Sequence, residues 1–305
     1  MNESAFIESL KALATHPAAR GLADDAAVLD VAGRTLVLTH DMLVEGVHYL
    51  PGDPPGDVAW KLLAVNLSDL AAKGARPVGV LLGYSLGESD WDQAFVSGLG
   101  TALAAFGLPL LGGDTVRGTG PRTLALTAIG EAAGPVPSRA GGRAGDHLWV
   151  SGTIGDSGAG LRGLSEALVE RYRNPRPRLE AGQRLAPLVN AMMDVSDGLL
   201  IDSSRLAEAS GVAAEIDLAA IPLSQALLEA SGDGREARLE AATAGDDYEL
   251  LFAASPDLAA EILALQEALG LPFSRIGTLA EGSGLSLTDG GEPVALPPSL
   301  GWIHC

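Results

Sequence analysis

Six short segments of this 305-residue chain put aspartates in turns or at the ends of apolar runs: Leu22–Asp25, Thr39–Asp41, Asn66–Asp69, Gly112–Thr115, Asp194–Gly198 and Gly245–Tyr248. Carboxylates bracketed by hydrophobic sequence are costly to bury unless an opposite charge meets them. A hard divalent cation meets several at once, and Mg2+ takes oxygen ligands almost exclusively. The pattern points to magnesium-dependent chemistry on phosphates.

The spacing sharpens this. On a strand, Thr39 and Asp41 share one face and His40 takes the other. On a helix, Asn66, Asp69 and Lys73 stand at i, i+3 and i+7 and share one stripe. The rest of that helix is apolar (Leu63, Val65, Leu67, Leu70), so the stripe needs buried partners. Gly112 and Gly113 let backbone approach a ligand closely. Ser196 and Asp197 fall at an expected helix start, which caps the helix and also suits a phosphate. Each segment alone has a plain structural explanation as a strand end, a solvated stripe or a cap. Their joint occurrence at apolar junctions carries the argument.

A formal charge of -19 speaks against nucleic acid and against an anionic membrane surface. An acidic protein still binds phosphates when metal ions intervene. With 47% apolar and 19% charged residues the chain is globular. Only Lys11, Lys61 and Lys73 are lysines, against seventeen arginines, a bias that GC-rich codon usage explains. Cys305 is the one cysteine, so no intramolecular disulfide forms. The first twenty residues do not read as a signal peptide, and no apolar run approaches a membrane span. The expected compartment is the cytoplasm.

Periodicity predicts helices over 3–15, 57–75 and 91–106 and strands over 26–31, 35–40, 78–85, 108–111 and 123–129. A glycine-rich stretch over 134–146 marks a boundary, which gives domains at 1–135 and 136–305. The second half predicts strands over 147–151, 212–217, 248–254 and 273–279 and helices over 158–170, 182–190, 198–210 and 257–269. A basic, proline-broken loop covers Arg171–Arg178. The class is α/β (α+β). No P-loop, nucleophile elbow or zinc spacing occurs. Gly158–Gly163 matches Gly-x-Gly-x-x-Gly, but without the acidic residue a dinucleotide site needs, so it reads as glycine-eased helix packing.

These segments together resemble the thiamine-monophosphate kinases of the aminoimidazole-ribonucleotide-synthetase-like superfamily, and the resemblance runs end to end. It rests on Thr39–Tyr49, Val65–Ala72, Gly112–Thr115, Met193–Leu199 and Gly245–Leu250, in the family's order and spacing. It implies an N-terminal sheet domain that dimerises and a C-terminal α/β domain. It implies ATP-dependent phosphorylation of thiamine monophosphate by a homodimer. Carried over residue by residue, Asp25, Thr39, Asp41, Asp69, Asp114, Asp194 and Asp197 would hold Mg2+. His40 would add a contact through backbone oxygen. Gly113, Asp114, Arg139 and Ser196 would contact ATP, with Phe106 flanking the nucleotide. His48, Asp246 and Trp302 would contact thiamine monophosphate. Asp41, Asp69, Asp114 and Arg139 would act at the reacting phosphates.

The chain departs from the family pattern at Ala23 and Ala244, both usually glycine, at His40, usually Ser or Thr, and at Lys73, usually Met. Lys73 lies one helical turn from Asp69 and is expected to pair with it. Sibling enzymes are the first alternative: a purine cyclo-ligase, or a hydrogenase-maturation protein that works through a C-terminal cysteine. The second is a non-catalytic nucleotide-binding regulator. Intact carboxylates at every motif favour the kinase.

Overall fold

The structure is a computed structural model that describes residues 3–303. Cys305, and with it any role of that thiol, lies outside the described residues.

Each half of the chain builds its own sheet. The first has five strands: β1 (Ala27–Val31), β2 (Arg34–Val44), β3 (Arg76–Ser85), β4 (Leu110–Val116) and β5 (Thr123–Ala132), in the order β1-β2-β5-β3-β4. The second has seven: β6 (His147–Ser151), β7 (Ala191–Asp194), β8 (Ala213–Asp217), β9 (Leu250–Ala254), β10 (Phe273–Ala280), β11 (Gly284–Asp289) and β12 (Glu292–Val294), in the order β12-β11-β8-β10-β6-β9-β7. β3 with β4, and β8 with β11, run parallel; the other pairs are antiparallel.

Strand β5 alternates strictly between buried and half-exposed residues. Its inner residues Leu124, Leu126 and Ala128 lie in one core with the helix Pro55–Ala72. Paired residues of adjacent strands share a face. Thr39 pairs with Ala128 and Asp41 with Leu126, so both point to the helix side. His40 pairs with Thr127 on the opposite face, where its Nδ1 meets the Thr127 hydroxyl at 2.8 Å.

The Pro55–Ala72 helix is apolar nearly all round because it is covered all round. The first sheet lies on one side, and β7 and the helix Leu179–Leu185 of the second half lie on the other. Close approach depends on glycine. A Cβ on Gly182 would sit 1.9 Å from the Ala71 carbonyl oxygen, which is backbone and cannot step aside. Gly182→Ala should therefore lower stability by about 1–3 kcal/mol, read as a fall in the urea midpoint at unchanged m-value. An unchanged midpoint would show that the contact yields freely.

Three differences from the sequence reading have physical causes. The helix expected over 158–170 is two, Asp156–Leu161 and Glu166–Arg173. A Cβ on Gly160 would meet the Leu168 carbonyl oxygen at 2.0 Å, so this glycine serves helix packing. The strand expected over 108–111 runs instead over Leu110–Val116 and carries Gly112–Thr115 along the edge of the sheet. A Cβ on Gly113 would lie 1.9 Å from the Leu82 carbonyl oxygen, so the close approach of β3 itself requires that glycine. Finally, β7, β11, β12 and the helices Gln225–Ser231 and Arg235–Ala244 lacked a clear sequence signal. Their runs are short or alanine-rich, where helix and strand periods look alike.

Candidate active site

The acidic segments meet where the Pro55–Ala72 helix passes between the two sheets. One carboxylate oxygen each from Asp25, Asp69 and Asp194 lies within 4.8 Å of the others. Asp25 comes from the turn before β1, Asp69 from the helix and Asp194 from the end of β7, so both halves contribute. Neighbouring hydroxyls fix the carboxylates. Ser68 Oγ donates to Asp194 Oδ2 at 2.5 Å, and Thr39 Oγ1 donates to Asp69 Oδ2. Asn66 ties strand to helix: its Oδ1 accepts from the Asp41 N–H at 3.1 Å, and its Nδ2 donates to the Leu62 carbonyl at 3.0 Å.

Four cations ring the cluster. Arg139 Nε donates to Asp25 Oδ1 at 2.7 Å. Arg20 Nη1 lies 2.5 Å from Asp24 Oδ2 and also holds the Pro137 carbonyl at 2.9 Å. Arg205 pairs with Asp197 and Asp202. Lys73 does not pair with Asp69 as its helical spacing suggested. It is the residue that caps the helix, with φ -103 and ψ 6, so its side chain leaves the helical stripe. Its ammonium meets Asp24 and Asp25 instead.

The carboxylates crowd one another. Burial, and then the charges of Asp25 and Asp197, push Asp41 up to about 6. Burial, then Asp25, pushes Asp194 up to about 8. Burial, followed by Asp41, Asp194 and Asp25, holds Asp69 well above the ordinary carboxylate range. Hard oxygen donors that repel one another at this separation fit a divalent cation of the Mg2+ type. The sign of the pH dependence follows. A carboxyl with a raised folded pKa stabilises the fold at low pH and loses that contribution as pH rises through its folded value. In chelator, stability should decline between about pH 4 and 8, the span from the unfolded value near 3.9 to the shifted Asp41 and Asp194. Saturating Mg2+ should flatten that decline in thermal melts; a decline of equal slope with and without the ion would contradict the assignment.

The start of the helix Leu199–Ser210 holds a residue that sequence reasoning missed. Asp202 Oδ2 accepts the N–H groups of Ser196, Asp197 and Gly198 at 3.1, 3.1 and 3.2 Å. Those amides, expected to suit a phosphate, are taken by the chain's own carboxylate. The signal was present as an aspartate in the first turn of the helix.

A second group of expected residues gathers beside this one. The Asp246 N–H donates to the Ser196 carbonyl at 2.7 Å, and the Trp302 N–H to the Asp197 carbonyl at 2.8 Å. His48 Nδ1 accepts from the Val44 N–H at 3.0 Å, which leaves the ring proton on Nε2. Lys61, also missed, is buried and binds the His48 carbonyl at 3.0 Å, the Asp246 carboxylate and the face of Tyr172. The Tyr248 hydroxyl holds the other Asp246 oxygen at 2.8 Å. Other expected residues stand apart. Asp114 and Gly113 lie on the exposed edge strand β4, and Asp114 is in register with Gly83. Phe106 packs against Trp60, with ring centroids 5.2 Å apart.

Comparison with known proteins agrees with this architecture. The family described as AIR synthase related protein, N-terminal domain, matches residues 23–132, and its C-terminal domain matches residues 143–290. A thiamine-monophosphate kinase of Caulobacter vibrioides is 42% identical over 303 residues, covering 94% of this chain and 86% of that protein. The crystal structure of the thiamine-monophosphate kinase from Stenotrophomonas maltophilia superposes with a TM-score of 0.80 at 40% identity, covering 94% of this chain and 95% of that one. A structure described as AaThiL complexed with AMPPCP and TMP gives a TM-score of 0.85 at 31% identity, covering 100% of this chain and 97% of that one. With its carboxylates converging from both halves and this identity along nearly its whole length, the chain belongs to the thiamine-monophosphate kinase family.

Proposed function

We propose that this chain transfers the γ-phosphoryl group of ATP to thiamine monophosphate, giving thiamine diphosphate and ADP. The observation that carries the proposal is the meeting of Asp25, Asp69 and Asp194 beside Arg139, next to the group formed by His48, Asp246 and Trp302. An ATP analogue and thiamine monophosphate are the ligands that AMPPCP and TMP denote in the related complex, which supports the pairing of substrates.

In this reading Asp25, Thr39, Asp41, Asp69, Asp194 and Asp197 hold Mg2+, with position 40 contributing backbone oxygen. The ions, when bound, supply the positive charge that two anionic reactants require. An acceptor phosphate oxygen bonds to the γ-phosphorus in line as the bond to ADP breaks. That phosphate is already ionised near neutral pH, so no protein nucleophile or strong base is needed. Arg139, held by Asp25, faces the developing charge, and Ser196 offers its hydroxyl to the nucleotide. His48, with its ring proton on Nε2, would donate to the acceptor phosphate. Asp246 offers a carboxylate to the cationic thiamine ring system, and Trp302 offers a half-exposed aromatic face.

Gly113, Asp114 and Phe106 remain as nucleotide or metal contacts in the proposal. Beside Asp114 the outer face of the first sheet exposes Met42, Leu81, Leu111 and Val116. An uncovered apolar face of this kind supports a homodimer formed through that sheet, and size-exclusion chromatography with light scattering tests it. We divide the chain into domains at 1–135 and 136–305 and place the enzyme in the cytoplasm. Among the described residues no helix is long and apolar enough to cross a membrane.

The deciding experiment is ADP release with ATP and Mg2+ in the presence of thiamine monophosphate, of thiamine, or of no acceptor. Release that depends on the monophosphate supports the proposal. Equal release in all three overturns it.

A further inference from the structure

Lys73 is wholly buried at the end of the Pro55–Ala72 helix. Its ammonium lies 2.5 Å from Asp24 Oδ1, 2.7 Å from Asp25 Oδ2 and 3.1 Å from the Met192 carbonyl oxygen. Two carboxylates and one carbonyl, drawn from both halves of the chain, are the oxygen set that a small hard cation takes. Asp25 Oδ2 has no partner in hydrogen-bond geometry, so its charge is met by the nearness of the ammonium alone. Bulk solvent is kept from the pair, because the side chains of Asp24 and Asp25 are 2% and 1% exposed.

Asp25 is also one corner of the trio with Asp69 and Asp194. The ammonium therefore sits on the flank of the cluster. A divalent ion could not occupy the same oxygens against that fixed positive charge. The other oxygens of the pair are held by arginines, Asp24 Oδ2 by Arg20 and Asp25 Oδ1 by Arg139.

We propose that Lys73 is a built-in cation that stands in for one divalent ion at the Asp24–Asp25 pair, so that the chain binds one ion fewer than its carboxylates would otherwise take. The inference rests on the reading of Asp25, Asp69 and Asp194 as divalent-ion ligands. It has two consequences. The tether holds the start of the first sheet against β7 without any metal, so this corner of the site stays assembled in chelator. The remaining ions bind toward Asp69 and Asp194, with Asp25 reaching them through the oxygen that Arg139 holds and not through the one that Lys73 holds.

The test counts Mn2+ bound per chain by equilibrium dialysis, without nucleotide, for the wild type, Lys73→Met and Lys73→Arg. Circular dichroism is recorded on each sample. Lys73→Met should bind one more ion per chain than the wild type, while Lys73→Arg, which keeps the charge, should match the wild type. Equal counts for folded wild type and Lys73→Met overturn the inference. So does a Lys73→Met protein that stays unfolded in saturating Mn2+, since a divalent ion then fails to replace the ammonium. A wild type that binds no Mn2+ at all removes the divalent-ion reading itself, and is told apart from the other outcomes by that first measurement.

Discussion

Asp69→Asn should cut turnover severely and make the metal-free protein more stable. The two effects have opposite signs because one cause produces both. Asp69 is buried among Asp41, Asp194 and Asp25, and its carboxyl is held well above the ordinary range, first by burial and then by those charges. An amide of the same shape still accepts from Thr39 but carries no charge. Relief of like-charge repulsion at this separation is worth on the order of 1 kcal/mol or more. The melting temperature in chelator should therefore rise, by about 2–4 °C for each kcal/mol. Turnover should fall by roughly a thousandfold or more, the scale of losing about 4 kcal/mol of phosphate charge stabilisation. Steady-state kinetics in Mg2+ and melts in chelator read the two arms. A near-normal rate, or a lower melting temperature in chelator, contradicts the assignment of Asp69.

Lys61→Met is expected to damage both the fold and acceptor binding. The ammonium is 2% exposed and joins the His48 carbonyl in the first half to Asp246 in the second. Its loss leaves Asp246 facing a methyl group. Breaking a buried ion pair from one side costs about 3–5 kcal/mol. The lower figure applies here, because Asp246 is 31% exposed and water screens it. That corresponds to a melting temperature lower by roughly 10 °C. In the surviving protein, KM for thiamine monophosphate should rise about tenfold or more while KM for ATP stays within twofold, since the partners of Lys61 line only the acceptor side. Lys61→Arg should recover much of the stability. If both KM values rise together, Lys61 supports the whole fold and has no special tie to the acceptor.

Much of this site was legible because its carboxylates sit where elements begin or end. Asp25 precedes β1, Asp194 closes β7, and Thr39 and Asp41 alternate with His40 on β2. Strand and helix periods alone put Thr39, Asp41 and Asp69 on faces that could meet. Their partners were not legible. Lys61 and Asp246 are 185 residues apart, and no period links them. Arg20 reaches Pro137 across 117 residues for the same reason. Lys73 misled because its spacing from Asp69 assumes that the helix continues, and the helix stops at Ala72. Gly113 is required by the close approach of β3, and in sequence such a glycine looks the same as one left open for a ligand.

The Pro55–Ala72 helix belongs to both halves at once, and this limits how the enzyme can move. It carries Asn66, Ser68 and Asp69, and its far end abuts Gly182 with no room for even a methyl group. A catalyst assembled around a common spine is expected to resist jaw-like closure over its substrates. The small-angle scattering profile should be the same with and without nucleotide.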